Sequence, residues 1–334
     1  MDYKASVVIP NLNGAGWLKD SIESIFAQTE QAFELIVIDN GSTDESLSIA
    51  RAYCGRENYT LIENGENTGF SHAVNQGIRA AKAPYIALFN NDAFAEPDWL
   101  EKLLHAAESD PRIFAVQSLM LRHYERQLAD DAGDFVTILA WPYKRGDGLR
   151  ASRYQKPGRI FSACGGASLY RKSILDEIGL FDEQFFAYFE DVDISWRANN
   201  LGYRNMLCPA AKCYHICGAT TGGAKGARYN DFKSVQSGRN SLLLPYKNMP
   251  LLMLLLNLPF LLFGYLLKAL VFALRGYGKP YWQGCKEAFH TFGKLKKPAF
   301  RLKNLPCYFL IEGWMFLSTF GYAAYRLRRA LHRI

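Results

Sequence analysis

The sequence predicts a mixed α/β protein, with a mostly parallel sheet flanked by helices and a C-terminal helical region suited to a membrane surface. Three observations predict this. Short, β-rich apolar runs alternate with segments of helical period through the first 90 residues. A polar cluster follows each run at a corresponding place. The last third then becomes apolar and basic, with long Leu- and Phe-rich stretches.

In chain order, Ala5-Ser6-Val7-Val8-Ile9-Pro10 reads as a buried strand stopped by proline, and Asn11-Leu12-Asn13-Gly14 as a turn. Trp17 to Gln28 carries apolar residues at helical spacing. Phe33 to Asp39 is a second strand, closed by Asp39-Asn40-Gly41-Ser42-Thr43-Asp44, a tight turn and helix cap. A helix over 45–54, a strand near 59–63, the turn Asn67-Thr68-Gly69-Phe70 and a helix over 71–82 follow. Tyr85 to Phe89 is the fourth strand, ending in Asn90-Asn91-Asp92. Such alternation implies right-handed crossovers, with ligands bound beyond the carboxyl ends of the strands. One polar cluster is an ordinary turn; four at equivalent ends point to a shared nucleotide-sized site. Neither a dinucleotide fingerprint nor a phosphate-binding loop motif is present. Asp92, with amide neighbours and no adjacent lysine, suits a hard divalent cation that also takes diphosphate oxygens.

Residues 1–244 hold 25 Lys/Arg against 30 Asp/Glu, so the excess positive charge lies further on. That placement beside apolar runs favours anionic lipid headgroups over nucleic acid, and no nucleic-acid partner is expected. Seven cysteines without a zinc-like spacing (Cys208, Cys213 and Cys217 among them) read as free thiols of a reducing compartment. Met1-Asp2-Tyr3-Lys4 runs straight into a strand, so a cytoplasmic location is expected.

The densest chemical signal is Phe185 to Arg197, where Glu190, Asp191 and Asp193 follow an aromatic run and precede Trp196 and Arg197. These acids sit where a helix begins, and capping alone would explain them. The alternative is a general base in a walled cleft.

In order and spacing, the chain resembles the family-2 glycosyltransferases of GT-A fold, a Rossmann-like architecture, and within them the bacterial rhamnosyltransferase-like branch of surface polysaccharide assembly. The resemblance covers roughly residues 5–240. It rests on Val7 to Asn13, Val37 to Asp44, Asn67-Thr68-Gly69-Phe70, Asn90-Asn91-Asp92, Cys164-Gly165-Gly166-Ala167, Phe189 to Asp193, and Tyr214-His215-Ile216-Cys217-Gly218. It implies an inverting transfer with Asp191 as catalytic base and a divalent cation, Mg or Mn, held by Asp92 and His215. It implies donor binding by Pro10, Asn11, Asn13, Asp39, Asn40, Ser42, Asn67, Gly69, Asn90, Asn91 and Gly166, with Asp39 on the base. It leaves Glu190, Asp193, Trp196 and Arg197 as acceptor-binding or supporting residues: Glu190 and Asp193 to orient Asp191, bind the acceptor or cap the helix, and Arg197 to meet an acceptor phosphate or pair with these acids. Asn90 stands where the family usually has an acid, so Asp92 is the sole acid of its motif. The implied donor is a nucleoside-diphosphate sugar, dTDP-rhamnose being one candidate, and the implied acceptor a polyprenyl-diphosphate-linked glycan. Alternatives are a UDP-sugar transferase with another acceptor and a non-catalytic sugar-nucleotide-binding scaffold. The Q-x-x-R-W motif of processive relatives is incomplete in Gln236-Ser237-Gly238-Arg239-Asn240, which favours single-sugar addition. The glycine-rich stretch Gly218 to Gly226 reads either as a lid over the diphosphate or as a linker.

The expected division is a catalytic domain over 1–240 and a helical region over 241–334. Leu242 to Leu274 and Pro306 to Tyr325 each approach the roughly 20 residues a bilayer span needs. Two spans would put the basic stretch 275–304 outside, against the positive-inside tendency. Interfacial or re-entrant helices on the cytoplasmic face are therefore preferred over two spans, and over a soluble helical subdomain or the interface of a homo-oligomer.

Overall fold

The computed structural model describes residues 2–216 and 230–331; Cys217 and the expected lid, Gly218 to Gly226, lie outside the described residues. The predicted alternation is present as β1 (Ala5–Asn11), α1 (Leu18–Phe26), β2 (Phe33–Asn40), α2 (Ser46–Arg51), β3 (Tyr59–Asn64), α3 (Phe70–Ala80) and β4 (Tyr85–Phe89). These four strands are mutually parallel, with Asn11 beside Asp39 and Asn40 beside Asn64. Their polar ends therefore share one edge of the sheet.

The chain continues through β5 (Ala93–Ala95), α4 (Trp99–Glu108), β6 (Ile113–Arg122), β7 (Ala129–Asp131), β8 (Asp134–Val136), β9 (Pro142–Lys144), β10 (Gly158–Ile160), β11 (Ala167–Arg171), α5 (Lys172–Ile178), α6 (Glu190–Asn200) and β12 (Arg204–His215). The main sheet runs β10-β12-β6-β11-β4-β1-β2-β3, with β11 and β10 antiparallel to their neighbours. Alternation along β1 explains the two cores. Ala5, Val7 and Ile9 meet α1, α2 and α4 on one face, while Val8 meets α3, α5 and α6 on the other. Residue 92 comes beside residue 215 because β5 pairs antiparallel with the end of β12, Ala93 opposite His215.

Four helices follow: α7 (Asp231–Asn248), α8 (Leu251–Leu274), α9 (Gly278–Thr291) and α10 (Leu305–Leu331). They are not a separate body. Leu243, Leu244, Met249, Tyr308, Ile311 and Met315 share a core with Val136, Phe161, Phe185, Val192 and Trp196. The expected division at residue 240 falls inside α7, which runs unbroken through it. Backbone contact joins α7 to α9. A Cβ added at Gly238 would lie 2.2 Å from the Tyr281 carbonyl oxygen, and one at Gly284 1.9 Å from that of Val235.

Among the described residues one helix, α8, is long and apolar enough to cross a membrane, where the sequence suggested two runs. Its stripe Met253, Asn257, Leu261 and Gly264 is buried against the protein. Leu251, Leu252, Leu255, Leu256, Phe263 and Leu266 face outward, with Phe316, Leu317 and Phe320 of α10 also exposed. The second run lies within α10, whose Glu312 accepts a hydrogen bond from Asn257 Nδ2 at 2.7 Å.

Candidate active site

The carboxyl ends of β1, β2 and β4 are cross-linked by short amides. Asn11, fully buried, accepts from Asn91 Nδ2 at 2.7 Å and donates to Asp39 Oδ1 at 2.9 Å and to Ser46 Oγ at 2.9 Å. Asp39 Oδ2 accepts from the Ser42 amide at 3.0 Å. Asn40, in turn, holds the next loop: its Nδ2 donates to Asn67 Oδ1, and its Oδ1 accepts from the Thr68 amide and hydroxyl. Asn11, Asp39 and Asn91 are thus buried and bonded to one another, and Asn40, also buried, ties the Asn67 loop to the same edge, a frame under the cleft. Asn13 and Asn67 are exposed at its rim, with Ser42, Asn90 and Pro10 half-buried. Ser42 Oγ accepts from the Asn13 amide at 3.0 Å, and Asn13 Oδ1 from the Thr43 amide at 2.8 Å. Gly69 requires its residue type, because φ is +87° and a Cβ would lie 2.7 Å from the Phe186 ring. Gly166 is tighter than most positions, with a Cβ reaching 3.0 Å from Asn90 Nδ2.

At the end of β4, Asp92 Oδ1 lies 3.1 Å from His215 Nε2, and both side chains are buried. His215 Nδ1 is 2.9 Å from Asp130 Oδ2, which also faces Lys144 Nζ at 3.3 Å. With Nδ1–H donated to Asp130, Nε2 turns its lone pair toward the Asp92 carboxylate. Two acceptors so close suit a cation between them, and a carboxylate behind the ligating histidine is the usual way such a ring is held. The donor set fits a divalent ion bound by two protein ligands, the rest supplied by diphosphate oxygens and water. Asn90 Nδ2, at 3.2 Å from the same Nε2, competes for that lone pair and supplies no charge. No set of three or more His, Cys, Asp or Glu side chains among the described residues could hold a metal by itself.

The three acids of α6 separate into three environments. Asp193 is fully buried and bonded to Arg197, to Lys247 Nζ at 2.8 Å and to Asn248 Nδ2 at 2.8 Å. Burial pushes its carboxyl up, but the Lys247 and Arg197 charges outweigh that and hold it below its ordinary value. Glu190 is 7% exposed, with Oε2 lacking a partner, and burial followed by the Asp191 charge drives it well above the usual range. Asp191 alone of the three is partly exposed. Its Oδ1 accepts from the Val192 amide at 2.7 Å and its Oδ2 from the Gly165 amide at 3.3 Å. Desolvation by the surrounding protein, opposed by those amides, brings it to about 6. One carboxyl is pushed down, one is pushed up, and the accessible one is raised to about 6. This division of environments marks Asp191 as the base candidate.

Of the two roles left open for Asp193, Trp196 and Arg197, acceptor contact or support, their surroundings favour support. Trp196 is 1% exposed and packs edge-on against Phe161 at 5.2 Å. Arg197 spends its guanidinium on Asp193 and on the carbonyls of Ile178, Gly179 and Leu180. These three residues support α6, the helix that carries Asp191.

Sequence reasoning missed a second acidic strand. Asp131 Oδ1 accepts from Gln117 Nε2 and from the Gly133 amide, both at 2.8 Å, while Oδ2 has no partner. Asp134 is driven well above its ordinary value by burial and then by Asp131 and Asp191. Gln117 Oε1 accepts from the Cys164 amide at 2.9 Å, next to Gly165. The Asp191 and Asp92–His215 ends are therefore linked by a chain of hydrogen-bonded and adjacent residues through Gly165, Cys164, Gln117, Asp131 and Asp130. Three acids in five residues, Asp130-Asp131-Ala132-Gly133-Asp134, were the available signal.

The model of the family described as Glycosyl transferase family 2 matches residues 6–179. The chain belongs to that family. A poly-beta-1,6-N-acetyl-D-glucosamine synthase of Staphylococcus aureus is 24% identical over 211 residues, 63% of this chain and 49% of that protein. The chain thus spans about half the length of the curated relatives it matches. A protein of Haemophilus influenzae described as an uncharacterized glycosyltransferase is 26% identical over 229 residues, 68% of this chain and 69% of its own. Among solved structures, GalNAc-T7 with UDP, GalNAc and Mn2+ superposes with a TM-score of 0.59 at 16% identity, over 73% of this chain and 48% of that one. The mannosyltransferase PcManGT of Pyrobaculum calidifontis, in complex with GDP-Man and Mn2+, gives a TM-score of 0.51 at 18% identity over 88% and 87%. The family-2 chain therefore has the expected GT-A fold.

Proposed function

We propose that this family-2 chain is an inverting, metal-dependent glycosyltransferase. It moves a sugar from a nucleoside-diphosphate donor to a hydroxyl of a polyprenyl-diphosphate-linked glycan in surface polysaccharide assembly. The observation that carries the reading is the partly exposed Asp191, poised at about 6, connected through Gly165 and Gly166 to the Asp92–His215 end of the cleft. Direct displacement at the anomeric carbon needs one base to take the acceptor proton as the hydroxyl attacks, and Asp191 Oδ2 is that group. No acid partner is required, because the leaving group is a diphosphate rather than an alcohol. A divalent ion bound by Asp92 and His215 would act as a Lewis acid on that diphosphate. Asp39 has one donor on each oxygen and keeps a second lone pair of each for a base N–H. Asn13, Ser42 and Asn67 line the rim for the nucleotide, with Asn11, Asn40 and Asn91 fixing the strand ends beneath it. Gly69 and Gly166 let backbone approach the donor.

The outward Leu and Phe side chains of α8 and α10, with eight Lys/Arg and one acid over 275–304, support attachment to an anionic membrane surface. The cytoplasmic face is the proposed side, since nucleotide sugars and positive charge meet there. The relative named as a poly-beta-1,6-N-acetyl-D-glucosamine synthase supports a role in polysaccharide synthesis.

The test is a donor panel. Detergent-purified protein is incubated with UDP-, dTDP- and GDP-sugars, Mg2+ or Mn2+ and a short lipid-diphosphate disaccharide, and nucleoside diphosphate release is read. Release from one donor, lost on chelation and in Asp92→Ala, is expected. Asp191→Asn should reduce turnover by roughly 1,000-fold or more while leaving donor binding intact, since it removes the base and little else. Full turnover in Asp191→Asn would overturn the base assignment.

A further inference from the structure

The two residues before Glu190 have a backbone that ordinary side chains avoid. Tyr188 and Phe189 lie at φ +68° and +73°, consecutive left-handed positions occupied by aromatic residues. Such residues are strained and persist only where their surroundings hold them. What holds this turn comes from α7. Asn240 Nδ2, on a fully buried side chain, donates to the Ala187 carbonyl at 2.9 Å and to the Tyr188 carbonyl at 2.7 Å. Arg239 donates to the Gln184 carbonyl at the start of the same segment. Two turns further along α7, Lys247 and Asn248 bind Asp193. The helix therefore touches the acidic segment on both sides of Asp191. It is itself fixed from behind, because Gly238 and Gly284 bring α7 and α9 into backbone contact.

We propose that Asn240 is a positioning residue: its amide clamps the left-handed Tyr188–Phe189 turn and so aims Asp191. The inference rests on the reading of Asp191 as the base. The strained turn sets where α6 begins, and the first turn of α6 carries the Asp191 carboxyl toward the Gly165 amide. Without the clamp, both residues relax toward negative φ and the carboxyl swings off its line. Because the clamp lies on α7, aiming of the base depends on the helical layer that the apolar surface of α8 and α10 belongs to.

The test is a double-mutant cycle. Asn240→Asp preserves volume and removes both N–H donors; Asn240→Ala removes the group. Turnover is read as nucleoside diphosphate released from whichever UDP-, dTDP- or GDP-sugar supports it. Both variants should lose about 30-fold or more in kcat with the donor KM changed far less, since Asn13, Asp39 and Ser42 lie around the ends of β1 and β2, away from this turn. Glycine takes positive φ without strain. In a Tyr188→Gly background, therefore, the same Asn240 changes should cost less than about threefold. An equal loss in both backgrounds, or full kcat in Asn240→Asp, overturns the proposal. Hydrogen exchange of the amides of residues 189–193 gives a readout independent of turnover. Protection should fall in Asn240→Ala and recover with Tyr188→Gly, and unchanged protection overturns the clamp. If Asp191→Asn keeps turnover while exchange behaves as described, the base assignment has failed and the clamp has not.

Discussion

Asp191, Glu190 and Asp193 show how one short acidic run yields three protonation behaviours. Their sequence spacing is compatible with helix capping alone. Their separation comes from what each carboxyl meets: two cations, a dry wall, or two backbone amides at a cleft. The consequence for pH follows in sign. The proposed base Asp191 can take a proton only when ionised, so kcat/KM should fall about tenfold per pH unit below pH about 6 and level off above it. A pH–rate profile reads this, and an acid limb near 4 would show that the carboxyl is not raised. Because this folded-state value lies above the unfolded one, ionising Asp191 opposes folding: the cost appears as pH rises from about 4 to about 6 and is complete above it. Such a cost is tolerated at a site where the same environment makes the base useful.

At the scale of elements, α6 is held by its neighbours rather than by its own propensity. Its N-terminal turn is strained, and its Asp193 is buried between Arg197 of the same helix and Lys247 of α7. Lys247→Met removes one of two cations from a fully enclosed carboxylate, leaving Arg197 alone to balance it, and should cost about 3 kcal/mol. Urea unfolding should show the midpoint lowered with the slope unchanged. Asp193 titrates below its ordinary value, so its contribution is present above the unfolded pKa and lost as pH falls through the folded one. The gap between native protein and Lys247→Met should therefore close in acid. A gap that persists at pH 2 would assign the loss to packing of the lysine stem.

Across the whole molecule, the C-terminal helices serve two surfaces at once. Their inner side completes the core around Phe185, Val192 and Trp196, and their outer side exposes Leu and Phe beside a basic stretch. Sedimentation with vesicles should show strong binding to anionic lipid and weak binding to neutral lipid. Raising salt from about 0.1 M to 1 M, which shortens the screening length from roughly 10 Å to 3 Å, should remove the charge-dependent part. Leu255→Asp with Phe263→Asp should weaken binding to both lipids, since they remove apolar area without touching the basic stretch. Binding indifferent to both changes would leave the outer surface to another partner.

The sequence by itself determined the alternating strands and helices and the common edge where the clusters at Asn11, Asp39, Asn67 and Asn90 gather, while Asp92 and Asp191 stood out as candidates through the family resemblance. Apolar periodicity and turn chemistry are local, and four parallel strands leave one arrangement of their ends. Tertiary structure decided the remainder. Which acid of Glu190, Asp191 and Asp193 is accessible depends on Lys247, Asn248 and Gly165, all distant in sequence. Asp130 meets His215 across 85 residues, and Asn240 meets Tyr188 across 52. Composition could not show that a helix expected to begin a separate region instead carries the clamp on the catalytic turn. Ionisation, strain and burial are properties of surroundings, and surroundings exist only once the chain has closed on itself.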